Sequence, residues 1–205
     1  WVMTFKRKII NALRAGIDEK GHSSLVVSGG SSLLKVFSEL RNFDFEWEKV
    51  FVTLVDNRLV PNKSIDNNEY LINTNFLLDS AKKANFIPLK KGAMAEIKKL
   101  LPFDLVLLGM GEDGHFASIF PDMVSDNRFV DLRESPNIFQ ISERGTPCVP
   151  RITMNLSLIL NSKNIILVVS NDKKKAILEK SRTERKYPLH WLINQEKTAV
   201  EIEMG

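Results

Sequence analysis

A histidine set among glycines, in Gly109-Met110-Gly111-Glu112-Asp113-Gly114-His115-Phe116-Ala117-Ser118-Ile119-Phe120-Pro121, is the stretch of this sequence best suited to acid–base chemistry. An imidazole titrates near neutral pH, and three glycines let the chain turn sharply enough to hold Asp113 and His115 together at one edge. Asp113 could orient the ring or carry another hydrogen bond. Isolated histidines are more often structural, and His22 and His190 are read that way; the polar, glycine-dense setting reverses this for His115. With no H-E-x-x-H pattern and no cluster of histidines or cysteines, no metal centre is expected.

Three further segments could hold an anion. Ser28-Gly29-Gly30-Ser31-Ser32 joins an apolar run to an amphipathic stretch. Its glycines allow close approach of a ligand, and hydroxyls and helix-start N–H groups would point at a phosphate. The motif is neither G-x-G-x-x-G nor a P-loop, and a serine-capped turn without ligand explains it equally well. Asp56-Asn57-Arg58 follows a second apolar run and leads to Asp66-Asn67-Asn68; Arg offers a fork matched to phosphate oxygens, against the plainer reading of an Asp–Arg pair with capping by Asp66. Arg151-Ile152-Thr153 and Lys173-Lys174-Lys175 would bring cations to the same edge if the sheet is parallel, or else form a solvated face.

These segments need a scaffold. Short continuous apolar runs alternate with helical spacing, which is the pattern of strands buried on both faces and means α/β. Strands are expected at 25–28, 50–55, 104–109 and 165–170, with weaker ones at 86–89 and 138–141. Helices are expected to start near Thr4, Ser31, Asn67, Ala93 and Lys173. The Ser31 helix is best supported, since Leu33, Val36, Phe37 and Leu40 recur at i, i+3, i+4, i+7. Residues 121–133 read as a long surface loop or a short helix.

The chain has 205 residues, 43% hydrophobic and 26% charged, which suits one domain over 1–205 and excludes disorder or a collagen-like chain. One cysteine, Cys148, makes no intramolecular bridge, so cytoplasm is the default compartment. No apolar run approaches the roughly 20 residues of a membrane span. Residues 1–8 lack a signal-peptide core and an initiator Met, so a trimmed or incomplete start is expected. The net charge of +4 comes from 29 basic residues interspersed with 25 acidic ones, and the lysine run lacks interleaved aromatics, so a local anion site suits it better than nucleic acid.

In this order the segments resemble the sugar-phosphate family of 6-phosphogluconolactonases and glucosamine-6-phosphate deaminases, over about residues 25–178. The 109–121 stretch resembles the lactonase branch closely, Ser28-Gly29-Gly30-Ser31 is similar to the family's phosphate-side loop, and Arg151-Ile152-Thr153 to its Arg-x-Thr element. The resemblance implies a modified Rossmann-like, mostly parallel sheet flanked by helices on both faces. It implies no cofactor and, as partner, a small phosphorylated sugar lactone: 6-phospho-D-glucono-1,5-lactone opened to 6-phosphogluconate in the oxidative pentose phosphate pathway. Neither nucleic acid nor membrane is expected, and the oligomeric state is open, with a monomer favoured. The chain departs from the lactonase pattern at Asn57, where a Glu is usual, and at Ser32, where Thr-Pro commonly follows. The deaminase branch has a glutamate at the position of Phe120, and a phenyl ring cannot transfer a proton. The family's lysine corresponds to Lys174 or Lys175, and Lys175 is preferred because Ala176 follows it.

The expected roles follow. Ser28, Gly29, Gly30, Ser31, Arg58, Arg151 and Lys175 bind the substrate phosphate; His115 is the general base toward water, with Asp113 and Asp56 orienting the ring, the water or sugar hydroxyls. The N–H groups of Gly29, Gly30 or Gly114 are candidates for the oxyanion. The competing readings are a deaminase or isomerase, a non-catalytic sugar-phosphate sensor and, with no recognition helix to support it, a DNA-binding regulator.

Overall fold

The four strongest apolar runs lie side by side at the centre of the molecule. The computed structural model describes residues 2–205; Trp1, part of the start expected to be trimmed, lies outside the described residues. In chain order the elements are α1 (Val2–Lys20), β1 (Ser23–Val27), α2 (Ser31–Leu40), β2 (Val50–Leu54), β3 (Asp56–Arg58), α3 (Asn68–Asn75), β4 (Asn85–Phe86), α4 (Met94–Lys98), β5 (Leu105–Leu108), α5 (Asn127–Val130), β6 (Ile138–Arg144), β7 (Val149–Met154), α6 (Leu156–Ile159), β8 (Ile165–Val169), α7 (Asp172–Ser181), α8 (Pro188–Ile193) and β9 (Val200–Met204).

Six strands form one parallel sheet in the order β4-β2-β1-β5-β8-β9. Every residue of β1, β5 and β8 is buried. Successive side chains of a strand point to opposite faces, so both faces of the sheet centre are covered, as continuous apolar runs require. The stripe read from spacing is real: Leu33, Val36, Phe37 and Leu40 are the buried residues of α2.

The remaining strands make a separate antiparallel sheet, β3-β7-β6. Arg151, expected near the same edge as the other site residues, lies in this second sheet and not in the parallel one. It comes on β7, with Arg58 of β3 as its direct cross-strand partner. The segment 121–133 is a single 3₁₀ turn, Pro121–Met123, followed by the four-residue α5. Among the described residues, no helix is long and apolar enough to cross a membrane.

Candidate active site

β1 and β5 are neighbours, yet the chain leaves β1 for β2 on one side and leaves β5 toward β8 on the other. Where crossovers part in this way a crevice opens beyond the carboxyl ends of the strands, which is where open α/β sheets bind ligands. The two loops that border it are joined. Ser28 N–H donates to Leu107 O at 2.9 Å, and Gly109 N–H donates to Ser28 Oγ at 3.2 Å. The cavity between them, about 190 Å³, is lined from five separate parts of the chain, including Gly29, Arg58, His115, Arg151 and Lys174. It lies below the roughly 300–1,000 Å³ of drug-sized pockets, and a small polar molecule suits it.

One wall is built to hold an anion. Gly30 is the N-cap of α2 at φ 103°, without a side-chain cap, so the first N–H groups of the helix face the cavity. Such a φ favours glycine, which explains why the turn carries one there. Arg151, 2% exposed, is clamped by its own hairpin: Nε donates to Arg144 O at 2.9 Å and Nη2 to Pro147 O at 3.0 Å. Arg58 Nη1 donates to Asp66 O at 2.9 Å, while its buried Nε has no acceptor. Like charges directly opposite on paired strands repel. Burial first, and then Arg58, push the Arg151 guanidinium below its ordinary pKa. Lys174 Nζ closes the wall, donating to Ser32 Oγ at 3.0 Å and Ser170 Oγ at 3.3 Å.

The opposite wall carries His115. Its Nδ1 is 2.5 Å from Asp113 Oδ1, and its backbone N–H donates to the same oxygen at 3.2 Å. Gly111 makes room for this pair, since a Cβ there would stand 2.2 Å from the imidazole and 2.6 Å from the carboxylate. Phe120 backs both walls. Its centroid is 4.6 Å from that of the His115 ring and 5.2 Å from the Arg151 guanidinium carbon. The imidazole and the guanidinium are therefore separated by at most the sum of the two, about 9.8 Å.

Asp56, 4% exposed, lies in the cavity and accepts the Ser118 hydroxyl on Oδ2 at 2.6 Å. Asn57 turns the other way. Its Oδ1 accepts Arg58 N–H and Asn68 N–H, both at 2.8 Å, and anchors the start of α3. An amide oxygen does that work as well as a carboxylate would.

Ser28, Gly29, Gly30, Ser31, Arg58, Asp56, His115 and Arg151 all line this cavity. Asp113 does not; it stands behind His115. Lys175, the preferred lysine, is exposed and outside the lining, where Lys174 stands instead. Consecutive helical residues point about 100° apart, so one lysine of the run can face inward. Asp66 does not cap α3: Asn67 does, accepting Tyr70 N–H at 3.1 Å. Gly114 N–H is occupied by Gly111 O at 3.2 Å, which leaves Gly29 and Gly30 as the oxyanion candidates. Asn68, given no role from the sequence, also lines the cavity. The only signal for it was its place after Asp56-Asn57-Arg58.

A family model described as glucosamine-6-phosphate isomerases/6-phosphogluconolactonase matches residues 1–200. The 6-phosphogluconolactonase of Rhizobium meliloti is 32% identical, the match covering 93% of this chain and 88% of the relative; that of Caulobacter vibrioides is 29% identical, covering 95% and 88%. The crystal structure of a 6-phosphogluconolactonase from Shewanella baltica superposes with a TM-score of 0.85 at 31% identity, over 99% of this chain and 92% of that one. Matched along nearly its whole length in sequence and in fold, the chain belongs to the family of glucosamine-6-phosphate isomerases and 6-phosphogluconolactonases.

Proposed function

We propose that the chain hydrolyses 6-phospho-D-glucono-1,5-lactone to 6-phosphogluconate. The observation that carries this reading is the Arg58–Arg151 cross-strand pair, two like charges in one cavity with His115. Their repulsion is relieved by a dianion, and a phosphate held there leaves the rest of a hexose derivative within reach of the imidazole. Anchoring a remote dianion directs binding energy to the reacting centre.

Asp113 is a charged acceptor, so Nδ1 of His115 carries the proton and Nε2 is the base. Nε2 takes a proton from water as the water oxygen adds to the lactone carbonyl. Collapse of the tetrahedral intermediate breaks the bond to the ring oxygen, which receives that proton. Gly29 and Gly30 N–H groups supply hydrogen bonds to the developing oxyanion. Asp56 holds water or a sugar hydroxyl in place. Deamination is disfavoured because Phe120 has no proton to give.

The test is a stopped-flow or coupled assay of δ-lactone opening against the spontaneous background, with phosphorylated and unphosphorylated lactone. Strong preference for the phosphorylated form is expected. Equal rates for the two, or none above background, would reject the reading.

A further inference from the structure

Asn68 is 1% exposed at the start of α3, yet it touches both halves of the cavity. Its Nδ2 donates to the Asp56 carbonyl at 3.0 Å and reaches Asp56 Oδ1 at 3.4 Å. That fixes the sense of the amide, because the reverse orientation would set its oxygen against two acceptors. Oδ1 therefore lies on the side of the amide away from Asp56, and the face of the amide lies against Gly29. A Cβ on Gly29 would lie 2.1 Å from Oδ1 and 2.3 Å from Cγ. Oδ1 is buried with no hydrogen-bond donor, and only a residue without a Cβ at position 29 leaves the amide room to lie there. The other oxygen of Asp56 is taken by Ser118.

We infer that Asn68 is a positioning residue, a wedge that sets the Asp56 carboxylate and the Gly29 turn at a fixed separation. The inference rests on the functional reading above for its catalytic consequence and on contacts alone for the wedge itself. Between them, Asn68 and Ser118 present only donors to the carboxylate and hold it in one rotamer. At its far end the amide seats the turn whose N–H groups face the anion.

Two measurements test this. Asn68→Asp keeps the shape but sets a second carboxyl against Asp56, and two carboxylates in one site raise one of the two pKa values strongly. Near pH 8 the variant should lose kcat by about 10- to 100-fold, the scale of a misplacement of about 1 Å, with KM changed far less. As pH falls, the shared proton restores a donor toward Asp56, so the ratio of variant to unmodified activity should rise. Arg58, Arg151, His115 and Lys174 line the cavity with Asp56 in both proteins, so the ratio isolates position 68. A ratio that stays flat from about pH 8 to about pH 5.5 overturns the role.

The second measurement reads melting only. Gly29→Ala should lower Tm sharply in the unmodified protein and much less in an Asn68→Ala background, or in Asn68→Ser if the alanine does not fold. Equal Tm losses in both backgrounds overturn the wedge. If the unmodified protein opens no lactone, the functional reading fails and the melting cycle alone upholds or overturns the contact.

Discussion

A single oxygen, Asp113 Oδ1, accepts both the ring Nδ1 of His115 at 2.5 Å and that residue's backbone N–H at 3.2 Å. One acceptor thus sets the tautomer of the ring and the turn that carries it. Burial alone would raise the Asp113 pKa; the hydrogen bond and charge of the His115 ring and the backbone N–H groups outweigh it and hold the carboxyl below its ordinary value. Asp113 accordingly stays ionised wherever an imidazole titrates. Asp113 should therefore add no step of its own to the kcat profile above about pH 4. His115→Ala should lower kcat by about 10²- to 10⁴-fold with phosphate binding nearly intact. Near-normal turnover by that variant would remove His115 from the chemistry.

Gly111 offers a subtler perturbation of the same pair. An alanine methyl there meets the imidazole at 2.2 Å, so the ring must move. Gly111→Ala should reduce kcat by about 10²-fold while inorganic phosphate still protects the fold against heat, because the anion wall is elsewhere. Parallel loss of phosphate protection would mean that the two walls are not separable.

How far such sites could be read beforehand depends on what each strand does. β1, β2, β5 and β8 were legible because burial on two faces demands unbroken apolar runs. β3 reads Asp-Asn-Arg because it forms the floor of the cavity, β7 contains Pro150 and Arg151, and the edge strand β9 alternates glutamates with apolar residues, so none of the three shows such a run. The Ser28, Asp56, His115 and Arg151 segments were visible because polar residues and glycines directly after apolar runs are unusual. The choice between Lys174 and Lys175 was not, since a run of identical residues hides the phase of its helix. Asn68 was hidden for another reason: its partner is the bare Cα of Gly29, which no pattern of side chains announces.

Arg151 should act mainly in binding. Two of its N–H groups hold carbonyls of its own hairpin, which aims the rest at the cavity. Arg151→Ala removes charge-assisted hydrogen bonds of about 1.5–3 kcal/mol, a rise in KM of about 10- to 100-fold. Arg151→Lys should recover little of this, because one ammonium cannot span two carbonyls and also address a phosphate. Full rescue by lysine, measured as KM, would show that only charge matters there.

The lysine run separates into one half-buried and two solvated members. Burial lowers the Lys174 pKa, with Glu112 partly opposing it. Its charge is lost at lower pH than that of an ordinary lysine, so affinity for a dianion should fall as pH rises into the alkaline range. Lys174→Met should weaken phosphate binding and flatten that dependence, whereas Lys175→Ala should leave both unchanged. Calorimetric titration with inorganic phosphate across pH distinguishes the two, and a larger effect at Lys175 would reverse the assignment.

At the amino ends of the strands, Asp104 is buried under α1, where Gly16 leaves it space: a Cβ on that glycine would stand 2.6 Å from the carboxyl carbon. Lys20 Nζ lies at 2.9 Å, Lys163 Nζ at 3.5 Å, and Ser24 donates its N–H at 2.8 Å and its hydroxyl at 3.1 Å. Burial pushes the Asp104 pKa up, but Lys20 and Ser24 together outweigh it and leave it lowered. A carboxyl with a folded pKa below its unfolded one stabilises the protein above the unfolded value, and that stabilisation disappears as pH falls through the folded value. Asp104→Asn should therefore cost about 3 kcal/mol at neutral pH, the low end for a broken buried pair because both lysines reach water, or about 6–12 °C in Tm. The gap to the unmodified protein should narrow in acid, below about pH 4, and close as the native carboxyl protonates. Thermal melts followed to about pH 2 decide it: a gap that persists there would assign the stabilisation to packing of the side chain rather than to its charge.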